Sequence, residues 1–228
     1  MGLAPIKMIS RTSLIINLLR QGSDPAQILV RLALRRALLG CETVVDVGCG
    51  VSPVLRQLEL PRLVGFDAYA PSIAKAKQLN THDEFVQGDV RKLAEHFQPK
   101  QFDACVSMDV IEHLPKPEGY PYLKAMESIA RKRVVVFTPS GFLPQGHTDA
   151  DDFQTHLSGW EAQEMEALGY RVFGLLGPKK WRGEYHALKG RPKALWGILS
   201  LIAHFASTGR NPQKAAAILC VKTLDGAR

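Results

Sequence analysis

The run Val44–Val45–Asp46–Val47–Gly48–Cys49–Gly50–Val51–Ser52–Pro53 constrains this chain more than any other segment. An apolar strand leads into an acidic residue and a Gly-x-Gly turn, with helix-compatible sequence behind it. Two glycines one residue apart permit a tight turn, and without a Cβ a bound molecule can approach the main chain closely. In an open parallel sheet such molecules lie at the carboxyl ends of strands. The turn does not read as a dinucleotide fingerprint, which needs a third glycine; Pro53 stands three residues after Gly50. Proline suits the first turn of a helix, so the spacing predicts a helix near 53–59.

Three acidic strand ends follow in order. Leu63–Val64–Gly65–Phe66–Asp67 is a short apolar strand ending in a carboxylate, about 20 residues past the glycine turn, where a carboxylate can accept both hydroxyls of a ribose. Glu84–Phe85–Val86–Gln87–Gly88–Asp89 reads as a third strand, with Asp89 placed to meet an adenine amino group. Phe102–Asp103–Ala104–Cys105–Val106–Ser107–Met108–Asp109 is a fourth, running into Val110–Ile111–Glu112–His113–Leu114.

In content and order these segments resemble the class I S-adenosylmethionine-dependent methyltransferases, over residues 43–177 and again in the final strand. The resemblance implies S-adenosylmethionine as cofactor and S-adenosylhomocysteine as product. It assigns them to Asp46, Gly48, Cys49, Gly50, Asp67, Ala68, Asp89, Val90, Met108 and Asp109. It also implies a doubly wound, mostly parallel α/β sheet of seven strands, the seventh antiparallel and lying between the fifth and sixth.

The rest of the chain fits that frame. Strands are predicted at 43–47, 63–67, 84–88, 102–108 and 133–138, and their apolar character suits strands covered on both faces. Helices are predicted near 71–79, 91–97 and 121–131, completing a βαβ succession. Ser158 is expected to cap a helix over Gly159–Leu168 that Gly169 stops. Tyr170–Leu176 and Ala216–Lys222 read as the last two strands, so residues 178–214 form an insert in their hairpin. The domain reading is a basic helical arm at 1–40, then a methyltransferase domain at 41–228. The four cysteines show no metal-ligand spacing and read as buried thiols in a reducing cytoplasm. No cleavable signal and no apolar run of membrane-spanning length is evident.

Charge separates the core from its additions. The net charge is +7, yet residues 1–40 hold six Lys/Arg against one acid and residues 178–228 hold ten against two, leaving the middle at −6. Ala194–Phe205 reads as an amphipathic helix, with Gly197, Ser200 and His204 on one narrow face. Basic residues beside it suit an anionic membrane surface, met through 189–210 at the inner face of the membrane. Packing on the domain or on a second subunit is the competing expectation. Nucleic acid is disfavoured, because no aromatic-interleaved basic stripe offers stacking to bases.

The chemistry expected is in-line methyl transfer to a hydroxyl of a small-molecule, glycan or lipid-linked acceptor. Positioning supplies much of such a rate, and a hydroxyl also needs a base. His113 is the first candidate, with Glu112 and His156 beside it in the catalytic set. A second reading takes Asp109, Glu112, His113 and His156 as ligands of a divalent ion. That set resembles the small-RNA 2′-O-methyltransferases and, in its Glu-His pair, the ubiquinone-pathway O-methyltransferases. Here Asp stands at 109 and Leu114 replaces a second histidine. His147, in the polar loop 145–152, is a further candidate contact. A nucleoside-binding module without catalysis remains the alternative of a different class.

Overall fold

The computed structural model describes residues 25–144 and 154–224. Most of the expected arm and the loop carrying His147 therefore lie outside the described residues. Seven strands form one sheet: β1 (Thr43–Val47), β2 (Arg62–Asp67), β3 (Glu84–Gln87), β4 (Phe102–Met108), β5 (Ala130–Pro139), β6 (Arg171–Pro178) and β7 (Ala215–Thr223). Their order is β3-β2-β1-β4-β5-β7-β6, with β7 antiparallel to both its neighbours and the other pairings parallel. This is the doubly wound sheet that the sequence predicts. Its winding reverses between β1 and β4, so the crevice beyond their carboxyl ends is the natural binding place.

Among the described residues the helices are α1 (Pro25–Ala37), α2 (Ala70–Gln78), α3 (Leu93–His96), α4 (Lys116–Ile129), α5 (Ala162–Ala167) and α6 (Lys193–Ala203). Side chains alternate across each strand, so β1 feeds two cores. Val45 and Val47 pack with Phe66, Phe102, Met126 and Trp160 on the α4 side. Val44 packs with Leu63, Val106, Leu219 and the α1 residues Val30 and Leu34 on the other. β4 is buried over nearly its whole length, as a central parallel strand must be. The edge strand β3 exposes Glu84 and Gln87, and the Glu84 carboxylate accepts two bonds from the Arg62 guanidinium. Charges at an edge discourage pairing with another chain. All four cysteines are free and buried, and burial pushes each thiol upward.

Three expectations need correction. In place of a helix at 53–59 there is one 3₁₀ turn, Arg56–Leu58, closed by Glu59 in the left-handed region at φ +56°. Pro61 biases the residue before it towards extended backbone, which leaves room for a single turn. The helix expected at 121–131 begins at Lys116 instead, with Pro117 in its first turn and Pro121 inside it. Ser158 does not cap α5. Its hydroxyl donates to the Ile111 carbonyl and accepts from Trp160 Nε1, which ties 158–160 to the site strands before the helix starts at Ala162. Gly169, at φ +88°, ends that helix region as expected.

The insert leaves β6 at Pro178 and re-enters the sheet at Ala215, the residue paired with it. It holds 3₁₀ turns at Lys179–Trp181 and Glu184–His186, then α6 and a π-helical turn, His204–Thr208. The small face of α6 does pack inward: Gly197 and Ser200 are buried, and Ser200 lies against Gly177.

One packing contact admits a sharp test. A Cβ on Gly119 would fall 2.2 Å from Trp160 Cζ2, and Trp160 is fully buried with its indole N–H bonded. Gly119→Ala is expected to destabilise the fold by about 1–3 kcal/mol through overpacking. Urea unfolding followed by Trp fluorescence measures this, and an unchanged midpoint would show that Trp160 has room to shift.

Candidate active site

The turn after β1 is built by two glycines in the left-handed region, Gly48 at φ +73° and Gly50 at φ +51°. A Cβ on Gly48 would come within 2.3 Å of Val110 Cγ2, whereas Gly50 faces open space. The turn is stitched to the end of β2. The Gly48 and Cys49 amides donate to the Phe66 carbonyl at 2.7 and 3.1 Å. The Gly50 amide donates to Asp67 Oδ2 and the Tyr69 amide to Asp67 Oδ1, each at 2.8 Å.

A cavity of about 400 Å³ opens over this turn. Of the expected cofactor set, Gly48, Gly50, Asp67, Ala68, Asp89, Val90 and Asp109 line it. Asp46, Cys49 and Met108 do not. Asp46 is buried and bonded to His82 Nε2 at 3.0 Å, while His82 Nδ1 faces the Thr81 hydroxyl at 2.9 Å. Burial pushes the Asp46 carboxyl up, and the His82 bond pulls it back. Cys49 is buried as well, and Met108 packs against the core on the α1 side.

Asp89 is held by its neighbour. Arg91 donates to it from the backbone amide (2.9 Å) and from Nε (2.9 and 3.0 Å). The Arg91 guanidinium is the main reason the Asp89 carboxyl lies below its usual range. Arg91, Tyr69 and Glu118 also line the cavity, and sequence reasoning missed all three.

Beside it lies a smaller cavity of about 160 Å³, lined by Asp109, Glu112, His113, Pro139, Leu143, Gln154, His156 and His186. The two cavities share Asp109, His113 and Gln154. One ligating atom from each of Glu112, His113 and His156 lies within 4.8 Å of the others. His113 Nδ1 sits 3.1 Å from the Thr155 carbonyl and His156 Nδ1 sits 2.6 Å from the Leu143 carbonyl. A carbonyl only accepts, so each Nδ1 carries the hydrogen and each neutral ring keeps its lone pair on Nε2. Burial lowers the pKa of His113, favouring that neutral form. Glu112 is buried and accepts from the Thr138 hydroxyl at 3.0 Å. Burial first, then the nearby Asp109 charge, pushes its carboxyl well above the usual range.

Asp109 is also engaged by a residue that no motif announces. His186, in the insert, places Nε2 at 3.0 Å from Asp109 Oδ1. Both residues hold left-handed backbone, Asp109 at φ +53° and His186 at φ +56°. Such conformations cost energy in non-glycine residues and persist where the surrounding structure enforces them. Phe137 contributes to that enforcement, accepting the Asp109 amide at 2.8 Å and packing its ring against His186.

Sheet order, glycine turn and acid-tipped strands together define a Rossmann-like methyltransferase architecture. Residues 45–136 match a family described as "Methyltransferase domain". Among solved structures, a SAM-dependent methyltransferase from Archaeoglobus fulgidus is 18% identical, with 86% of this chain and 93% of that chain covered at a TM-score of 0.55. The methyltransferase domain of bacterial CtHen1 is 17% identical, with 85% and 96% covered at 0.54. A Haloferax volcanii structure, a complex of the Trm112 methyltransferase activator and the putative methyltransferase, is 16% identical, with 83% and 87% covered at 0.52. No curated protein matches the chain by sequence. Residues 45–136 thus match a methyltransferase-domain family, and the chain has the fold of the class I S-adenosylmethionine-dependent methyltransferases.

The Asp89–Arg91 clasp has a measurable signature. In Arg91→Ala the charge-assisted bonds are lost, so the Asp89 pKa should rise towards the usual carboxylate value. Carboxyl NMR titration of the two proteins reads this directly, and an unmoved midpoint would show that Arg91 does not hold the acid in solution.

Proposed function

We propose that this chain transfers a methyl group from S-adenosylmethionine to a hydroxyl of a small-molecule, glycan or lipid-linked acceptor. The observation that carries the reading is the junction of the two cavities at Asp109, His113 and Gln154. The larger cavity takes the nucleoside: Asp67 receives the ribose hydroxyls, Asp89 the adenine amino group, and the Gly48–Gly50 turn lies under the amino-acid tail. The smaller one takes the acceptor. His113, with Nδ1–H bonded to Thr155 and its lone pair on Nε2, is the base for the acceptor hydroxyl. Its lowered pKa keeps the ring neutral as pH falls, so the base stays available into mildly acidic solution. His156 and Glu112 stand behind it and shape the acceptor pocket.

One observation supports a second reading, in which a divalent cation assists. Glu112, His113 and His156 form a carboxylate-plus-imidazole donor set, and the bonds from each Nδ1 orient both rings as histidine ligands commonly are. These residues fit a divalent ion, which would lower the pKa of an acceptor hydroxyl. Asp109, engaged with His186, stands outside that cluster. An RNA 2′-hydroxyl or a quinone-precursor phenol belongs to this reading.

Titration calorimetry with S-adenosylhomocysteine tests the donor assignment. Asp67→Ala should weaken binding about 10–100-fold, since bonds to a charged group contribute about 1.5–3 kcal/mol. No binding by the parent protein would reject the proposal. In an S-adenosylhomocysteine-release assay over hydroxyl acceptors, His113→Ala should lower kcat about 10²–10⁴-fold while donor affinity stays within a few-fold. Turnover abolished by a chelator and restored by Mn²⁺ or Mg²⁺ selects the metal reading, whereas chelator-insensitive turnover removes it.

A further inference from the structure

The face of α6 opposite its packed small residues is apolar, and among the described residues nothing covers it. Leu195, Ile198, Ile202 and Phe205 are 50%, 49%, 58% and 66% exposed, and their spacing of three, four and three residues lines them up along the helix and its π-helical turn. Leucine and isoleucine do not remain this exposed in a contiguous stripe without reason; such stripes mark interaction sites. The stripe also continues into a third cavity, about 550 Å³ in volume, between α1 and the outer strands β6 and β7. Phe205 belongs to both, and Leu29, Leu32 and Phe173 wall the cavity.

Charge identifies the occupant. From Tyr185 to Lys214 there is no acidic residue, while Lys189, Arg191, Lys193, Arg210 and Lys214 are all present. The cavity is lined by Arg36, Arg133, Arg171 and Arg210, again without an acid. An apolar stripe between cations fits a surface that offers both hydrocarbon and negative charge. A second copy of this chain would set the same cations against one another. The phosphates of a nucleic acid would satisfy the cations but leave the aliphatic stripe in water. An anionic phospholipid bilayer satisfies both, with the helix lying in the interface plane.

We propose that α6 and its π-helical turn dock this protein on an anionic phospholipid bilayer, with Leu195, Ile198, Ile202 and Phe205 entering the interface and the arginine-lined cavity receiving lipid phosphate. The inference is independent of the methyl-transfer reading, because none of these residues lines the donor cavity or the acceptor pocket. No helix among the described residues is long and apolar enough to cross a membrane, so docking on its surface is the mode at issue.

Co-sedimentation of the full chain with large unilamellar vesicles tests it. Vesicles of phosphatidylcholine with 30% phosphatidylglycerol should retain the protein at least 10-fold better than pure phosphatidylcholine. High salt should weaken that binding by screening. Ile198→Asp/Ile202→Asp should release the protein, and Arg171→Glu/Arg210→Glu should do so too. Both double variants should keep parental S-adenosylhomocysteine affinity and thermal midpoint, as solvent-facing changes do. Equal retention on neutral and anionic vesicles would overturn the proposal, as would full anionic retention by Ile198→Asp/Ile202→Asp. A dimer in light scattering that this variant turns into a monomer would hand the stripe to a second copy. Retention on single-stranded RNA but not on vesicles would hand the cations to nucleic acid. Either result also overturns it.

Discussion

A single carboxylate joins the two sides of the larger cavity. Asp67 ends β2, and by accepting the amides of Gly50 and Tyr69 it fixes the turn after β1 against the start of α2. The Phe66 carbonyl takes the Gly48 and Cys49 amides, and Asp67 supplies the acceptor for the remaining Gly50 amide. Both its oxygens retain lone-pair capacity towards the cavity. The group that shapes the loop is therefore also the group that faces a ligand. Behind the turn, Asp46 and His82 fill the buried space with a bonded pair, and Val110 closes it from above Gly48. The cavity is preorganised by contacts that no ligand has to supply.

The smaller cavity depends on a different set of contacts. Three segments distant in the chain converge there: the strand end at Asp109–His113, the stretch at Gln154–His156, and the insert at His186. Backbone carbonyls, not side chains, orient the two imidazoles of His113 and His156. That choice fixes the ring tautomer while adding no competing charge beside Glu112. Holding Asp109 and His186 in left-handed backbone sets a carboxylate where the two cavities meet.

What the sequence discloses follows how local each determinant is. Strands that are apolar on both faces, a glycine pair at a strand end and acids at fixed spacing are written within a few residues, and the resemblance they carry implies the sheet order. The helix expected at 53–59 failed because a proline eight residues after Pro53 leaves no length for it, a limit set by neighbours on both sides. Ser158 carries the right residue type for a cap, yet the long-range bond to Ile111 claims it. His186 is invisible for the same reason: one histidine in a basic insert gains meaning only when β6 and β7 return it to the tip of β4. Arg91 was legible as a neighbour of Asp89 but not as its clamp, since the sequence gives order and not side-chain direction.

The insert departs from Pro178 and returns at Ala215, two positions already paired across the β6–β7 ladder. Its length and content can therefore change without disturbing the register of any strand. Everything that varies between a buried-site residue such as His186 and an outward helix is hung from that one closed gate in the sheet. Descent could exchange the whole appendage, and with it His186 and the outer surface together, while leaving the glycine turn and the tips of β2 and β3 untouched.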